Sequence, residues 1–135
     1  MPFQDLAAII AAKIPDTAAI YLFGSQARKD GIRDSDVDLA VLAHRKLDPM
    51  LRWELQEDLA AKANRNVDLV DLREASTVMR VQVLRDGELL LDAQPSYRMA
   101  FEATALSSYA SLNEERRGIL EDVAASGKVY GARHG

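Results

Sequence analysis

The chain has 135 residues, a formal net charge of -4 and no cysteine. Its length suits one domain with a hydrophobic core, and the lack of cysteine excludes disulfides and thiolate metal sites. The acidic balance disfavours direct binding of nucleic acid, for which a basic face is expected. No apolar run approaches the ~20 residues that cross a bilayer, and the N-terminal segment lacks the basic region of a signal peptide. We therefore expect a cytoplasmic protein that does not bind membranes.

Hydrophobic periodicity predicts both helices and strands along the chain. The predicted elements are, in chain order, a helix at 3–14, strands at 18–23 and 37–43, a helix at 49–64, a strand at 67–72, a helix at 75–85, a strand at 88–92 and a helix from 95 to about 125. A short helical turn is expected at Ala27 and Arg28. The strand at 18–23 is apolar on both faces, which predicts a central position in its sheet. This order indicates an α/β fold, with a small mixed β-sheet flanked by helices and a long C-terminal helix.

The C-terminal helix carries an apolar stripe that is wider than a small sheet needs to cover. Its members are Tyr97, Phe101, Ala105, Tyr109, Leu112, Ile119 and Val123. Aromatic residues at this helical spacing predict core packing or a partner interface. We therefore divide the chain into a core at 1–95, a helix at 96–126 that packs on the core or extends from it, and a flexible tail at 127–135.

Residues with the chemistry of a nucleotide site lie around the first two predicted strands. Asp36 and Asp38 are one residue apart, so on an extended backbone their side chains leave the same face. Their attachment points are then about 7 Å apart, close enough for both carboxylates to hold the same hard cation or a pair of them. Gly24 and Ser25 end the preceding strand, where the backbone can approach a phosphate without a large side chain in the way. The pattern indicates metal-binding carboxylates facing a phosphate-accepting turn.

Gly24-Ser25, followed after ten residues by Asp36-Val37-Asp38, resembles the signature of the nucleotidyltransferase superfamily related to DNA polymerase beta. In its short length the chain resembles the minimal nucleotidyltransferases, the MNT type. The segments RWEL at 52–55 and VDLVDLREASTV at 67–78 resemble the MntA-type antitoxins of HEPN/MNT toxin–antitoxin pairs. The resemblance implies the nucleotidyltransferase fold for the core.

The resemblance also implies a catalytic site that uses magnesium, with two ions, and ATP as substrate. Asp36 and Asp38 would be shared metal ligands, and Asp68, on a neighbouring strand, would help to hold the second metal and could accept a proton from the acceptor hydroxyl. The implied phosphate contacts are Gly24, Ser25, Arg28 and Lys29. Asp71, on the opposite face of the strand of Asp68, is a weaker candidate, and Glu54, on a helix, is weaker still.

Each of these residues also has a purely structural interpretation. A lone Asp-x-Asp usually marks a solvated turn, Ser25 could simply cap a helix, and basic residues such as Arg28 and Lys29 are often only solvated. For Arg52 and Trp53, at the start of the helix after the second strand, we expect solvent exposure and core packing respectively.

By the resemblance, the chain is an antitoxin that transfers AMP from ATP to a tyrosine of a cognate HEPN ribonuclease toxin and neutralises it. Two other functions stay open. One is an antitoxin without catalysis that neutralises its partner by binding and occlusion. The other is transfer of a nucleotide to a small molecule, although such enzymes usually carry a further domain that forms the acceptor pocket.

Overall fold

A computed structural model describes the backbone of residues 3–24 and 36–126 and the side chains as far as residue 118. Within these residues there are four helices and four strands. The helices are α1 (Phe3–Lys13), α2 (Pro49–Ala63), α3 (Thr77–Asp86) and α4 (Pro95–Ser126), and the strands are β1 (Thr17–Phe23), β2 (Val37–Ala43), β3 (Val67–Asp71) and β4 (Glu88–Asp92). Every predicted helix and strand is present within two residues of its expected limits. The turn expected at 27–28 and the tail at 127–135 lie outside the described residues.

The four strands form one mixed sheet in the order β3-β2-β1-β4. Strand β1 is antiparallel to both of its neighbours, β2 and β4, and β2 runs parallel to β3. All seven residues of β1 are buried, as expected for an interior strand covered on both faces. The predictions of an α/β fold, of a mixed sheet and of a central first strand are confirmed.

Helices cover the two faces of the sheet and divide the core into two clusters. On one face, α1 and α2 contribute buried leucine and isoleucine side chains; the cluster includes Leu6, Ile10, Leu55 and Leu59, which pack with Ile20, Leu22, Leu39 and Val41 of the strands. The other face holds Tyr21, Phe23, Ala40 and Leu42, against which α3 and α4 pack. Alternate residues of one strand therefore belong to different clusters, because successive side chains leave opposite faces.

Capping residues set the limits of α2 and α3. The side chain of Asp48 accepts a hydrogen bond from the backbone N–H of Leu51, with Pro49 in the first turn. The side chain of Ser76 accepts one from the N–H of Met79. Because Ser76 is the N-cap, α3 begins at Thr77, two residues after the position predicted from periodicity.

Among the described side chains of helix α4, those of its first part pack across the sheet. Its N-terminal end is joined to β1 by a hydrogen bond from the N–H of Gln94 to the carbonyl of Ala18, 3.2 Å long. Ala105 is the last buried residue of α4 among those whose side chains are described. The first part of the helix therefore packs on the core, and the division of the chain into a core at 1–95, a helix at 96–126 and a tail at 127–135 stays a prediction. None of the described helices is long and apolar enough to cross a membrane.

Candidate active site

Three strand ends meet at one end of the sheet. Phe23, the last residue of β1, lies opposite Asp38 near the start of β2. Asp38 in turn lies opposite Asp68 near the start of β3, because β2 and β3 are parallel and paired residue for residue. This register brings residues that are up to 45 positions apart in sequence to one place, on the face of the sheet covered by α3 and α4.

Asp38 and Asp68 form a carboxylate pair across the parallel strands. Register partners on adjacent strands are about 4.8 Å apart and leave the same face of the sheet. Asp38 is half-buried and Asp68 is exposed. Asp68 alternates with Val70 and Leu72 on one face, and both of these pack in the cluster that contains Phe23.

Asp36 lies just before β2, exposed to solvent and two residues from Asp38. No group of three or more carboxylate or imidazole side chains within the described ranges is close enough to hold a metal ion. The described carboxylates at this end of the sheet are the register partners Asp38 and Asp68, with Asp36 two residues before Asp38 in sequence. Hard oxygen donors of this kind suit Mg2+, which is bound through one or two carboxylates and completes its shell with water and substrate phosphates.

Gly24 closes the site from the side of β1. Its φ of +73° lies in the left-handed region, which residues with a side chain rarely adopt. A Cβ atom built on Gly24 would overlap Oδ2 of Asp38. The backbone angle therefore strains any side chain here, and a Cβ would also require the Asp38 carboxylate to move from its place next to the turn.

Asp71 has a structural role in the fold. It is buried, with 4% exposure, and its Oδ2 accepts a hydrogen bond of 2.8 Å from the N–H of Leu47. Its Oδ1 accepts a second one, of 3.0 Å, from the N–H of Arg73. Glu54 is exposed on α2, which packs on the face of the sheet away from Asp38 and Asp68. Neither residue therefore lies on the face of the sheet that carries Asp38 and Asp68.

Three of the predicted phosphate contacts, Ser25, Arg28 and Lys29, lie outside the described residues. Their roles remain predictions. Of the four expected phosphate contacts, Gly24 alone falls within the described ranges.

The expectations for Arg52 and Trp53 were wrong. Arg52 donates a hydrogen bond of 3.1 Å from Nη1 to the carbonyl of Leu69, whereas Trp53 is 54% exposed. Gln56, one turn after Arg52, accepts a hydrogen bond of 2.9 Å from the N–H of Leu69. Together the two side chains satisfy backbone groups on the outer edge of β3, which would otherwise be open to pairing with another chain.

Sequence reasoning missed the edge-capping role of Arg52 and Gln56. Their four-residue spacing places them on one face of α2, and β3 is an edge strand that needs such protection. A groove runs along this edge; its lining includes Arg52, Asp68 and Glu74. Asp68 is thus reachable from the outer edge of the sheet.

Comparisons with known proteins agree with this geometry. The family model of the polymerase beta nucleotidyltransferases matches residues 4–96. The chain is 42% identical over 118 residues to the protein adenylyltransferase MntA of Shewanella oneidensis, a match that covers 87% of this chain and 84% of the relative.

Solved structures of toxin–antitoxin complexes are similar to the whole described fold. The structure of a toxin–antitoxin with AMP-PNP has 40% sequence identity and a TM-score of 0.78, covering 90% of this chain and 98% of the other. A structure of the tri-AMPylated HEPN toxin of Shewanella oneidensis in complex with its MNT antitoxin has 38% identity and a TM-score of 0.74, covering 90% and 94%. The similarity therefore extends beyond the family domain into α4.

Proposed function

The chain belongs to the polymerase beta nucleotidyltransferase family, and on that premise we propose that it is an antitoxin that transfers AMP from ATP to a tyrosine of a cognate HEPN toxin. The transfer neutralises the toxin. The reaction takes place in the cytoplasm, where ATP and magnesium are available.

The observation that carries the proposal is the similarity to an adenylyltransferase and to antitoxin complexes over nearly the full length of both chains. A similarity confined to the catalytic core would support the reaction class alone. Because the match includes most of α4, it also supports the same kind of acceptor. The register of Asp38 with Asp68, next to Gly24, supplies the chemistry that the proposal requires.

In the proposed reaction the tyrosine oxygen attacks the α-phosphorus of ATP. A new P–O bond forms, the bond to the β-phosphate oxygen breaks, and pyrophosphate leaves. In such a transfer the protein positions the reacting groups and helps to neutralise the charge on the phosphates. Magnesium, two ions in our proposal, would neutralise the phosphate charge when bound.

The carboxylates have separate tasks in this reaction. Asp36 and Asp38 would be shared ligands of the two ions, and Asp68 would help to hold the second ion. Asp68 also accepts the proton of the tyrosine hydroxyl, since it is exposed at the outer edge where an acceptor can approach. Ser25, Arg28 and Lys29 would contact the phosphates together with the backbone at Gly24.

Each transferred AMP group brings a negatively charged phosphate and a nucleoside to the toxin. Placed where RNA binds to a HEPN ribonuclease, this charge repels the RNA backbone and its bulk blocks access. Neutralisation then persists after the antitoxin dissociates.

The test is the intact mass of the cognate HEPN toxin after incubation with the chain, ATP and magnesium. We expect a gain of one or more AMP units with the wild type and none with the Asp36→Asn/Asp38→Asn variant. A stable complex that forms without any mass change would contradict the proposal and favour neutralisation by occlusion.

A further inference from the structure

Helix α4 runs alongside β1 in the same direction, toward the candidate active site. Gln94 contacts Ala18 near the start of β1, and Glu102 accepts a hydrogen bond of 2.7 Å from the hydroxyl of Tyr21 in its middle. Gly24 lies three residues after Tyr21, about 10 Å farther along the strand. At 1.5 Å per residue the helix covers that distance about seven residues after Glu102. Tyr109 is therefore level with Gly24.

Beyond Tyr109 the helix extends past the end of the sheet. It continues to Ser126, so about 25 Å of helix extends past the end of the sheet where Gly24, Asp38 and Asp68 lie. A protein of this size seldom extends a helix by several turns into solvent, because tertiary packing of an apolar face supplies most of the stability of helices in proteins.

The face of α4 that packs on the sheet continues into this extension. Phe101 and Ala105 pack against the core, and the same three- and four-residue spacing leads to Tyr109 and Leu112. Leu112 is 39% exposed and Tyr109 is partly exposed. Charged residues of both signs, Glu114, Glu115, Arg116 and Arg117, follow at once and are exposed. A small apolar centre with a charged rim is the usual anatomy of a protein–protein interface.

We propose that the Tyr109–Leu112 face of α4 is the docking surface for the protein that receives the adenylyl group. This inference rests on the proposed function. The surface and the carboxylates then act as two parts of one recognition site, in which α4 holds the acceptor protein and the end of the sheet receives its tyrosine. The docking mode is that of an amphipathic helix in an apolar groove of the partner.

The position of the surface favours the acceptor protein over other occupants. Because the stripe begins level with Gly24 and leads away from it, a partner that lies along it is held directly in front of Asp38 and Asp68. A small-molecule acceptor bound at the carboxylates would not reach residues that lie farther along α4, so contacts there would not add to its affinity. The mixed charges around Leu112 do not form the basic patch that a nucleic acid or an anionic lipid surface would require.

The chain offers a matched pair of variants to test the docking surface. Leu112→Glu places a charge in the middle of the proposed face. Leu106→Glu makes the same change on the same helix six residues earlier, about 120° around the axis, at a side chain that is 51% exposed. Calorimetric titration with the cognate HEPN toxin in the absence of ATP measures binding without any chemistry. We expect Leu112→Glu to weaken binding at least tenfold and Leu106→Glu to change it less than twofold.

Binding and AMP transfer are read separately, so the inference and the proposed function can fail independently. If AMP is transferred and Leu112→Glu leaves both binding and the KM for the HEPN protein unchanged, the inference is overturned while the function stands. If no AMP is transferred but Leu112→Glu still disrupts the complex, the proposed function falls, the HEPN toxin is not an acceptor of AMP, and only its docking on this face stands.

Two further results would overturn the inference. A wild-type dimer that Leu112→Glu converts to a monomer in analytical ultracentrifugation would assign the face to a second copy of this chain. A large fall in the melting temperature with Leu112→Glu but not with Leu106→Glu would mean that another part of the same chain covers the face.

Discussion

At the scale of single residues, Asp68 and Asp71 lie three positions apart on one strand and have different surroundings. Both are aspartates of β3, but alternation places them on opposite faces of the sheet. Asp68 is exposed opposite Asp38. Asp71 is buried, and its two carboxylate oxygens accept hydrogen bonds from the backbone N–H groups of Leu47 and Arg73. Their contributions to stability should therefore differ in size.

We predict that Asp71→Ala lowers the free energy of unfolding by about 2 kcal/mol or more, because two partly buried N–H groups lose a charged acceptor. Asp68→Ala should change it by less than about 0.5 kcal/mol, as an exposed substitution does. Chemical denaturation of both variants measures the difference. Equal effects would mean that Asp68 is also held by the fold.

Gly24 gives a second prediction at this scale. Gly24→Ala forces a side chain onto a left-handed backbone and against Oδ2 of Asp38. A displacement of the carboxylate by an ångström can cost about 100-fold in rate, and we expect a loss of AMP transfer of that order in a folded protein.

Gly118→Ala is the matched control for Gly24→Ala, because a Cβ built on Gly118 meets no atom within 4 Å. It lies in α4 and should keep full activity with equal or slightly higher stability. Transfer rates and thermal unfolding of the two variants are compared. Full activity in Gly24→Ala would contradict the close approach of the turn to Asp38.

At the scale of elements, a polar cluster joins α4 to the sheet. The hydroxyl of Tyr21 donates to Glu102, and Arg98 donates to both Glu102 and Asp92, over 3.0 and 2.8 Å. Burial raises the pKa of Tyr21 well above its ordinary value, and the hydrogen bond to Glu102 raises it further. The hydrogen bond to Asp92 raises the pKa of Arg98. The cluster thus connects β1, β4 and α4 through one arginine.

We predict that Tyr21→Phe lowers the free energy of unfolding by about 1 kcal/mol at neutral pH, the contribution of one hydrogen bond. The folded-state pKa of Tyr21 is raised, so its contribution is complete below the unfolded pKa of about 10 and is lost as the pH rises above that value. Wild-type stability should therefore fall above about pH 10 more steeply than that of Tyr21→Phe.

Tyr109→Phe serves as the control for this pH dependence, since no described residue forms a hydrogen bond with the Tyr109 hydroxyl. Denaturation curves at several pH values compare the three proteins. Identical alkaline slopes for the wild type and Tyr21→Phe would show that Tyr21 titrates as an ordinary exposed tyrosine.

The elements were more predictable from the sequence than the contacts between them. Spacing alone located β1 as a central strand, because its residues are apolar on both faces, and Asp48-Pro49 marked the start of α2. The hydrogen bond from Arg52 to Leu69 was not predictable in this way. It depends on which strand forms the edge of the sheet, and that is decided by pairing between distant segments.

The candidate site was partly predictable for the same reason. The short spacing of Asp36 and Asp38 is a local property, so the sequence contains it. The pairing of Asp38 with Asp68 requires the parallel register of β2 and β3, and only the resemblance to a family supplied it. The overlap of a Gly24 side chain with Asp38 needs atomic positions on two strands.

At the scale of the whole molecule, the candidate site and the second half of a long helix lie at the same end of the fold. The sheet gathers Gly24, Asp38 and Asp68 from three strands, and α4 continues past them. An acceptor protein can thus contact the chain both at the carboxylates and along the helix. A net charge of -4 suits an acceptor with a basic surface.

The central claim is that the carboxylates at this end of the sheet perform the transfer, and single-turnover rates of AMP incorporation into the HEPN protein test it most directly. The rates are measured for Asp36→Asn, Asp38→Asn and Asp68→Asn, with Asp71→Asn as the control on the opposite face and binding checked for each. We predict that the first three lose at least 100-fold while the complex still forms, and that folded Asp71→Asn stays within a few-fold of the wild type. Wild-type rates in Asp38→Asn or Asp68→Asn would contradict this claim and would mean that other residues of the chain perform the transfer.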